Sequence, residues 1–169
     1  MNALLVCEPY LEGKMTMRPF KAKGYRVKEV LDLIHTDLCR PMSTSARGGY
    51  KYFITFIDDY SRYGYIYLMC HESVAFEKFK EYKTEVENHR GKIIKSLRSD
   101  LGGEYLLGKF RQYLKDHGIT SQMFAHNQPQ HNGVVEEESN PLRHGLSMIS
   151  YTSLPNFFWG YALETSNTF

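Results

Sequence analysis

The chain has 169 residues but only three cysteines, Cys7, Cys39 and Cys70. So sparse and odd a set argues against a disulfide framework and suits a reducing compartment. Long apolar runs are also missing, and none approaches the ~18 residues that a membrane span requires. The apolar start, Met1 to Val6, is too short for a signal peptide and carries no basic n-region. No membrane partner is expected, and the expected location is the nucleus or cytoplasm. Charge of one sign is scarce: 21 Lys and Arg stand against 19 Asp and Glu, a formal net charge of +2. That excludes a strongly basic nucleic-acid coat. It leaves a nucleic-acid enzyme open, because local patches outweigh the sum. There is no internal repeat and no low-complexity tract. What is present is ordinary for a folded protein: 42% hydrophobic and 24% charged residues, in a chain long enough to bury a core without staples.

Residues 1–27 read as loop followed by a basic connector, Arg18 to Gly24, broken by Pro19 and Gly24. From there the pattern becomes regular. Val30 to Asp37 is a short apolar strand, and Tyr50 to Ile57 is a strand rich in aromatic and β-branched residues. Asp58 to Arg62 turns the chain into a third strand, Gly64 to Cys70, making a hairpin with a five-residue loop. Ser73 suits the N-cap of a helix reaching Arg90, with Gly91 just past its end. Phe76, Phe79, Tyr82 (or Lys83) and Val86 share one face of it. Ile93 to Arg98 is a strand, Glu104 to His117 a helix with Leu107, Phe110 and Leu114 inward and Gly118 as its stop, and Ile119 to Phe124 a fifth strand. Val134 to Ser150 has a helical pattern interrupted by Pro141 and Gly145, and Pro155-Asn156 opens a last amphipathic segment, Phe157 to Ser166. Three strands followed by alternating helices and strands predict a mixed sheet with helices on its faces.

Three carboxylates stand out by placement. Asp37 ends the first strand, Asp100 follows the fourth, and Glu136 opens the later helix after Asn132-Gly133-Val134-Val135. Ligands of open α/β sheets gather at strand carboxyl ends. Asp37 and Asp100 converge there if the first and fourth strands are parallel neighbours. Several carboxylates in one small site suit Mg²⁺, which takes hard oxygen ligands and keeps positions for phosphate oxygens. Asp at a strand end is also commonly a turn or cap residue, so spacing alone leaves both readings open. Asp58 and Asp59 fit the hairpin turn, and Glu104 fits a helix first turn. Tyr50, Tyr52, Tyr65 and Tyr67 read as core and sheet-face residues rather than base-stacking platforms.

His35-Thr36-Asp37, Tyr52 to Arg62, Arg98 to Tyr105, Pro129 to Glu136 and Phe158 to Ala162 together resemble the integrase region of copia-type LTR retrotransposon polyproteins, especially those of plants. The resemblance is collinear from about Cys7 to the last residues. It implies an RNase H-like fold, a five-stranded mixed sheet with helices on both faces. It also implies DDE chemistry, in which 35 residues separate the second acid from the third; Leu101 to Val135 is 35 residues. By position Asp37, Asp100 and Glu136 then correspond to the catalytic acids and to the ligands of two Mg²⁺ or Mn²⁺ ions. The implied reactions are trimming of the element's 3′ ends by water and attack of the freed 3′-OH on target DNA. DNA is the implied partner, with Arg98, Asn132 and Arg143 expected on it, and a homodimer or higher oligomer is implied as well.

This sequence departs from the family pattern in four places. Cys7 remains from an N-terminal Cys-x-x-Cys, but Tyr10 takes the second Cys position and no His pair precedes it, so no zinc is expected. Glu137 and Glu138 stand where the family carries two arginines, and like charge facing phosphate opposes binding. Pro141 falls inside the expected helix, where it costs ~3 kcal/mol or more unless the helix kinks. Leu101 replaces a basic residue, and His126-Asn127-Gln128 differs from a Gly-containing loop. The expectation is residues 1–27 as the remnant of a zinc module and connector. Residues 28–169 are expected to be a C-terminally truncated integrase core with weak or lost activity. The alternatives are a non-catalytic RNase H-like relic or interaction module and, less favoured by the 35-residue spacing, an RNase H-type nuclease.

Overall fold

The computed structural model describes residues 27–39, 41–99, 108–123 and 155–166. Five strands form one sheet: β1 (Ile34–Cys39), β2 (Tyr52–Asp58), β3 (Gly64–Met69), β4 (Ser96–Ser99) and β5 (Thr120–Met123). Among the described residues, three α-helices accompany them: α1 (Ala75–Arg90), α2 (Lys109–Asp116) and α3 (Trp159–Ser166). The strand order is β3-β2-β1-β4-β5. β1, β2 and β3 are antiparallel, whereas β4 runs parallel to both β1 and β5. The sheet is therefore mixed, as the element order implied.

Side-chain alternation divides the sheet into two faces. On one, Ile34, Ile54, Phe56 and Leu97 pack against Phe79, Tyr82 and Val86 of α1 and Phe110 and Leu114 of α2. The Phe56 and Tyr82 rings stack with centroids 4.5 Å apart, and Phe79 meets Phe110 edge-on at 4.9 Å. Burying an aromatic side chain of this kind contributes about 1.5–3 kcal/mol. On the other face, Phe53, Ile66 and Leu68 meet Trp159 and Leu163 of α3. Trp159 Nε1 donates to the Thr44 carbonyl at 2.8 Å, so the large ring is buried with its one polar atom satisfied. α3 comes close: a Cβ added at Gly160 would lie 3.0 Å from Leu68 Cδ1 and 3.2 Å from Ala46 Cβ. Helices thus cover both faces.

Several expected boundaries move. The first strand is Ile34–Cys39 rather than Val30 to Asp37, so Asp37 lies inside it. The reason is its partner: Thr55, Ile54 and Phe53 of β2 pair with Asp37, Leu38 and Cys39. At its start, Leu31 adopts a left-handed φ of 68° and breaks the extended run. Ser73 does not cap α1; it sits in a 3₁₀ turn, Glu72–Val74, that leads into the helix. Gly91 ends α1 at φ 61°, as its lack of Cβ allows. The fourth strand is shorter than Ile93 to Arg98 implied, and Ile93 lies outside it, 67% exposed. The hairpin forms as expected, with Asp58 as the last residue of β2. The tyrosines behave as sheet residues, Tyr52, Tyr65 and Tyr67 on the first core and Tyr50 on the second.

Candidate nucleic-acid and metal site

The parallel neighbours that the carboxylate argument required are present. Ile34, His35 and Thr36 of β1 stand opposite Leu97, Arg98 and Ser99 of β4. Asp37 and Asp100 follow Thr36 and Ser99 in the sequence. Asp37 is exposed, and its carbonyl accepts a hydrogen bond from Thr55 Oγ1 at 3.4 Å. Burial, assisted by the Asp37 charge two residues away, pushes the Cys39 thiol up to about 11. Cys39 therefore stays a neutral thiol. Asp100, Asn132, Glu136 and Arg143 lie outside the described residues, as do Cys7, Tyr10, Leu101, the stretch 126–128, Glu137, Glu138 and Pro141.

Along β1, His35 and Asp37 fall on one face by the two-residue period, the face opposite the α1 core. The same row continues across the sheet. His35 pairs in register with Arg98, and Arg98 with Gln122 of β5. Gln122 Oε1 accepts from Arg98 Nε at 3.1 Å and from Nη2 at 2.8 Å. At the other end, His35 Nε2 lies 3.0 Å from Asp59 Oδ1, and the same oxygen lies 3.8 Å from Arg62 Nη1. His35 and Asp59 are 3% and 5% exposed. Burial pulls the His35 pKa below its usual value; the Asp59 hydrogen bond opposes this shift, and the nearby Arg98 charge adds to it. A polar row, Asp59, His35, Arg98 and Gln122, thus lies immediately beside Asp37.

Asp58 has a different task. Its carboxylate, 3% exposed, accepts from Leu31 N at 2.8 Å, Ser61 N at 2.7 Å and Ser61 Oγ at 2.6 Å. It organises the hairpin turn and the entry to β1, as the turn reading of the Asp58-Asp59 pair had it. Asp59 lies in the same turn and reaches back to His35. The roles of His35, Asp59 and Gln122 were not visible in sequence. His35 had signalled only as part of the His35-Thr36-Asp37 segment, and Gln122 gave no signal, because the row exists only through strand order and register.

Among the described residues no three His, Cys, Asp or Glu side chains gather as a metal site. Asp37 presents a carboxylate that is exposed and on the polar face. No helix among the described residues is long and apolar enough to cross a membrane.

Order, directions and covering helices define an RNase H-like fold. A family model described as "Integrase core domain" matches residues 28–129, and the chain belongs to that family. It is 38% identical over 161 residues to the Retrovirus-related Pol polyprotein from transposon TNT 1-94 of Nicotiana tabacum, a match covering 95% of this chain and 12% of that protein. It is 30% identical over 166 residues to the corresponding polyprotein from transposon RE2 of Arabidopsis thaliana, covering 98% of this chain and 11% of that one. The chain therefore spans about a tenth of the length of these curated relatives. Among solved structures, the chain resembles one in a simian T-cell lymphotropic virus intasome in complex with PP2A regulatory subunit B56 gamma. The TM-score is 0.60 at 16% identity, covering 95% of this chain and 55% of that one. That likeness bears on the fold.

Proposed function

We propose that residues 28–169 are the catalytic core of a DDE-type polynucleotidyl transferase acting on retrotransposon DNA, with residues 1–27 a connector that retains Cys7 from a zinc module and binds no zinc. Asp37, Asp100 and Glu136 are the acids of this site. The observation that carries the reading is the parallel β1–β4 register, in which Thr36 stands opposite Ser99 immediately before Asp37 and Asp100. Parallel strands present their carboxyl ends on the same side, where ligands of such sheets gather. The three acids would hold Mg²⁺ or Mn²⁺, which would favour an attacking oxygen and stabilise a leaving one. Arg98, Asn132 and Arg143 meet DNA phosphate, so binding weakens as salt rises. A homodimer or higher oligomer carries the two DNA ends.

Activity in this chain is weak. Glu137 and Glu138 replace positive charge beside the DNA, and Pro141 lies five residues past Glu136. Those same residues favour a second reading, a non-catalytic RNase H-like module. Strand transfer with short duplex ends and Mn²⁺, comparing the chain with Asp100→Asn, separates the two. Slow transfer abolished by Asp100→Asn supports the first reading, and identical background from both supports the second. Robust transfer abolished by the substitution would refute the argument for impairment. Glu137→Arg, Glu138→Arg and Pro141→Thr together should raise DNA affinity at low salt; unchanged affinity sinks the electrostatic account.

A further inference from the structure

We propose that β3 is the docking edge for a second copy of this chain, paired antiparallel so that the two sheets join into one. The inference deepens the oligomer of the proposed function, rests on it only for self-association, and does not depend on the acids. β3 stands at one end of the strand order among the described residues. The Asp58 amide donates to the Tyr63 carbonyl, and the Lys51 amide to the Met69 carbonyl. Backbone direction alternates along a strand, so Tyr63, Tyr65, Tyr67 and Met69 turn their N–H and C=O groups to β2. Gly64, Ile66 and Leu68 turn theirs away. Among the described residues none forms a hydrogen bond with that outer row. Such a row is a template for another strand, and folded proteins usually blunt it with charge or proline. Gly64 to Met69 contains neither.

Self-complementarity selects a second copy as the occupant. A two-fold axis at Ile66 sets Ile66 against its own counterpart, Gly64 against Leu68 of the second copy, and Tyr65 against Tyr67 of the second copy. The first two pairings satisfy every outward N–H and C=O of the three residues. The third extends a ladder already present, because Tyr65 and Tyr67 stack along β3 with 10° between their planes. Cross-strand aromatic pairs of this kind are favourable. Charge agrees with the antiparallel sense. The Tyr67 hydroxyl donates to Glu85 Oε2 at 3.2 Å, and Glu81 and Lys78, bonded to each other, lie at the same end. That end carries one net negative charge, whereas Arg90 lies by Tyr65. Glu81, Glu85 and Arg90 are exposed on α1. Antiparallel pairing brings the Tyr67 end of one copy to the Arg90 end of the other; parallel pairing would set like against like. A two-fold interface closes on itself, so association stops at a dimer.

The test is sedimentation velocity of the full chain over a range of concentrations, without DNA. The proteins are the wild type, Ile66→Pro, Arg90→Glu, and Arg90→Glu combined with Glu85→Arg. The wild type should form a dimer. Ile66→Pro removes an N–H that β2 does not use, and an outward-facing edge position tolerates proline. It should keep the circular dichroism of the wild type and raise the dimer dissociation constant about tenfold, since each copy loses a hydrogen bond. Arg90→Glu should weaken association, and adding Glu85→Arg should restore it. Ile66 also packs on the second core, so Ile66→Cys supplies a readout that spares the backbone. Facing Cα atoms of such a pair lie about 5.5 Å apart, within disulfide reach. Diamide should therefore convert Ile66→Cys to a covalent dimer, and the wild type, with its native cysteines, should not form one. A dimer that survives Ile66→Pro, or an Ile66→Cys chain that cross-links no more than wild type, overturns this surface and leaves the oligomer standing. A wild type that stays monomeric overturns the oligomer and this inference together, and leaves the edge to an extended segment of another protein. None of these results bears on Asp37, Asp100 or Glu136, which the strand-transfer assay tests separately.

Discussion

Thr36 of β1 stands opposite Ser99 of β4 in a parallel ladder, and both are buried. Asp37 and Asp100 are the residues that follow them in the sequence. The proposed site brings these acids together, and such like charges are tolerable chiefly with cations present.

On the proposed function, divalent cations should stabilise the protein through these acids. A cation at 100 times its Kd adds about 2.7 kcal/mol to unfolding free energy. Thermal melts in Mn²⁺ against EDTA should show a raised Tm for wild type and a markedly smaller rise for Asp37→Asn. Equal shifts in both proteins would remove Asp37 from the proposed cation site.

Asp58→Ala should cost about 3 kcal/mol, because it strands the amides of Leu31 and Ser61 and the Ser61 hydroxyl, all donors to one buried carboxylate. Ser61→Ala removes the hydroxyl's bond to Asp58 and its long, exposed acceptance from Tyr63 N at 3.3 Å, and should cost about 1 kcal/mol. Urea unfolding should show the midpoint falling in that order with the m value unchanged.

Phe56→Ala should cost about 3–5 kcal/mol, since the ring is 0% exposed and stacks on Tyr82. Ile93→Ala, at a position 67% exposed, should stay within about 0.5 kcal/mol of wild type. A large loss at Ile93 would contradict its placement outside β4.

Alkaline pH should destabilise the fold through Tyr82. Burial, and then the Asp58 charge, raises its pKa well above that of a free phenol. The folded chain keeps the proton while the unfolded chain releases it near pH ~10. Stability is thus complete below that pH and is lost as pH rises toward the folded pKa. Tyr82→Phe should flatten the decline in unfolding free energy between neutral and strongly alkaline buffer. A decline as steep as wild type would place the effect on Tyr65 or Tyr67, whose pKa values burial also raises.

Much of the fold was legible along the chain. The aromatic and β-branched run of β2, the hairpin turn at Asp58-Asp59, the 3.6-residue spacing of Phe79, Tyr82 and Val86, and the stop at Gly91 are local features, and each formed as local rules require. Boundaries set by partners were less legible. Asp37 became interior to β1 because β2 pairs beyond it, and Ser73 gave way to a 3₁₀ turn.

The sequence by itself determined the element types, the two apolar sets that cover the sheet, and the candidate acids with their spacing. These depend on side chains near one another along the chain, where period and turn chemistry act. Only the tertiary structure decided that β4 runs parallel beside β1, that Asp59 reaches His35, and that Gln122 grips Arg98 across 24 residues. Each of those contacts is fixed by strand order and register. Burial of both sheet faces sets these, because a slip of one residue would turn every apolar side chain to the wrong side.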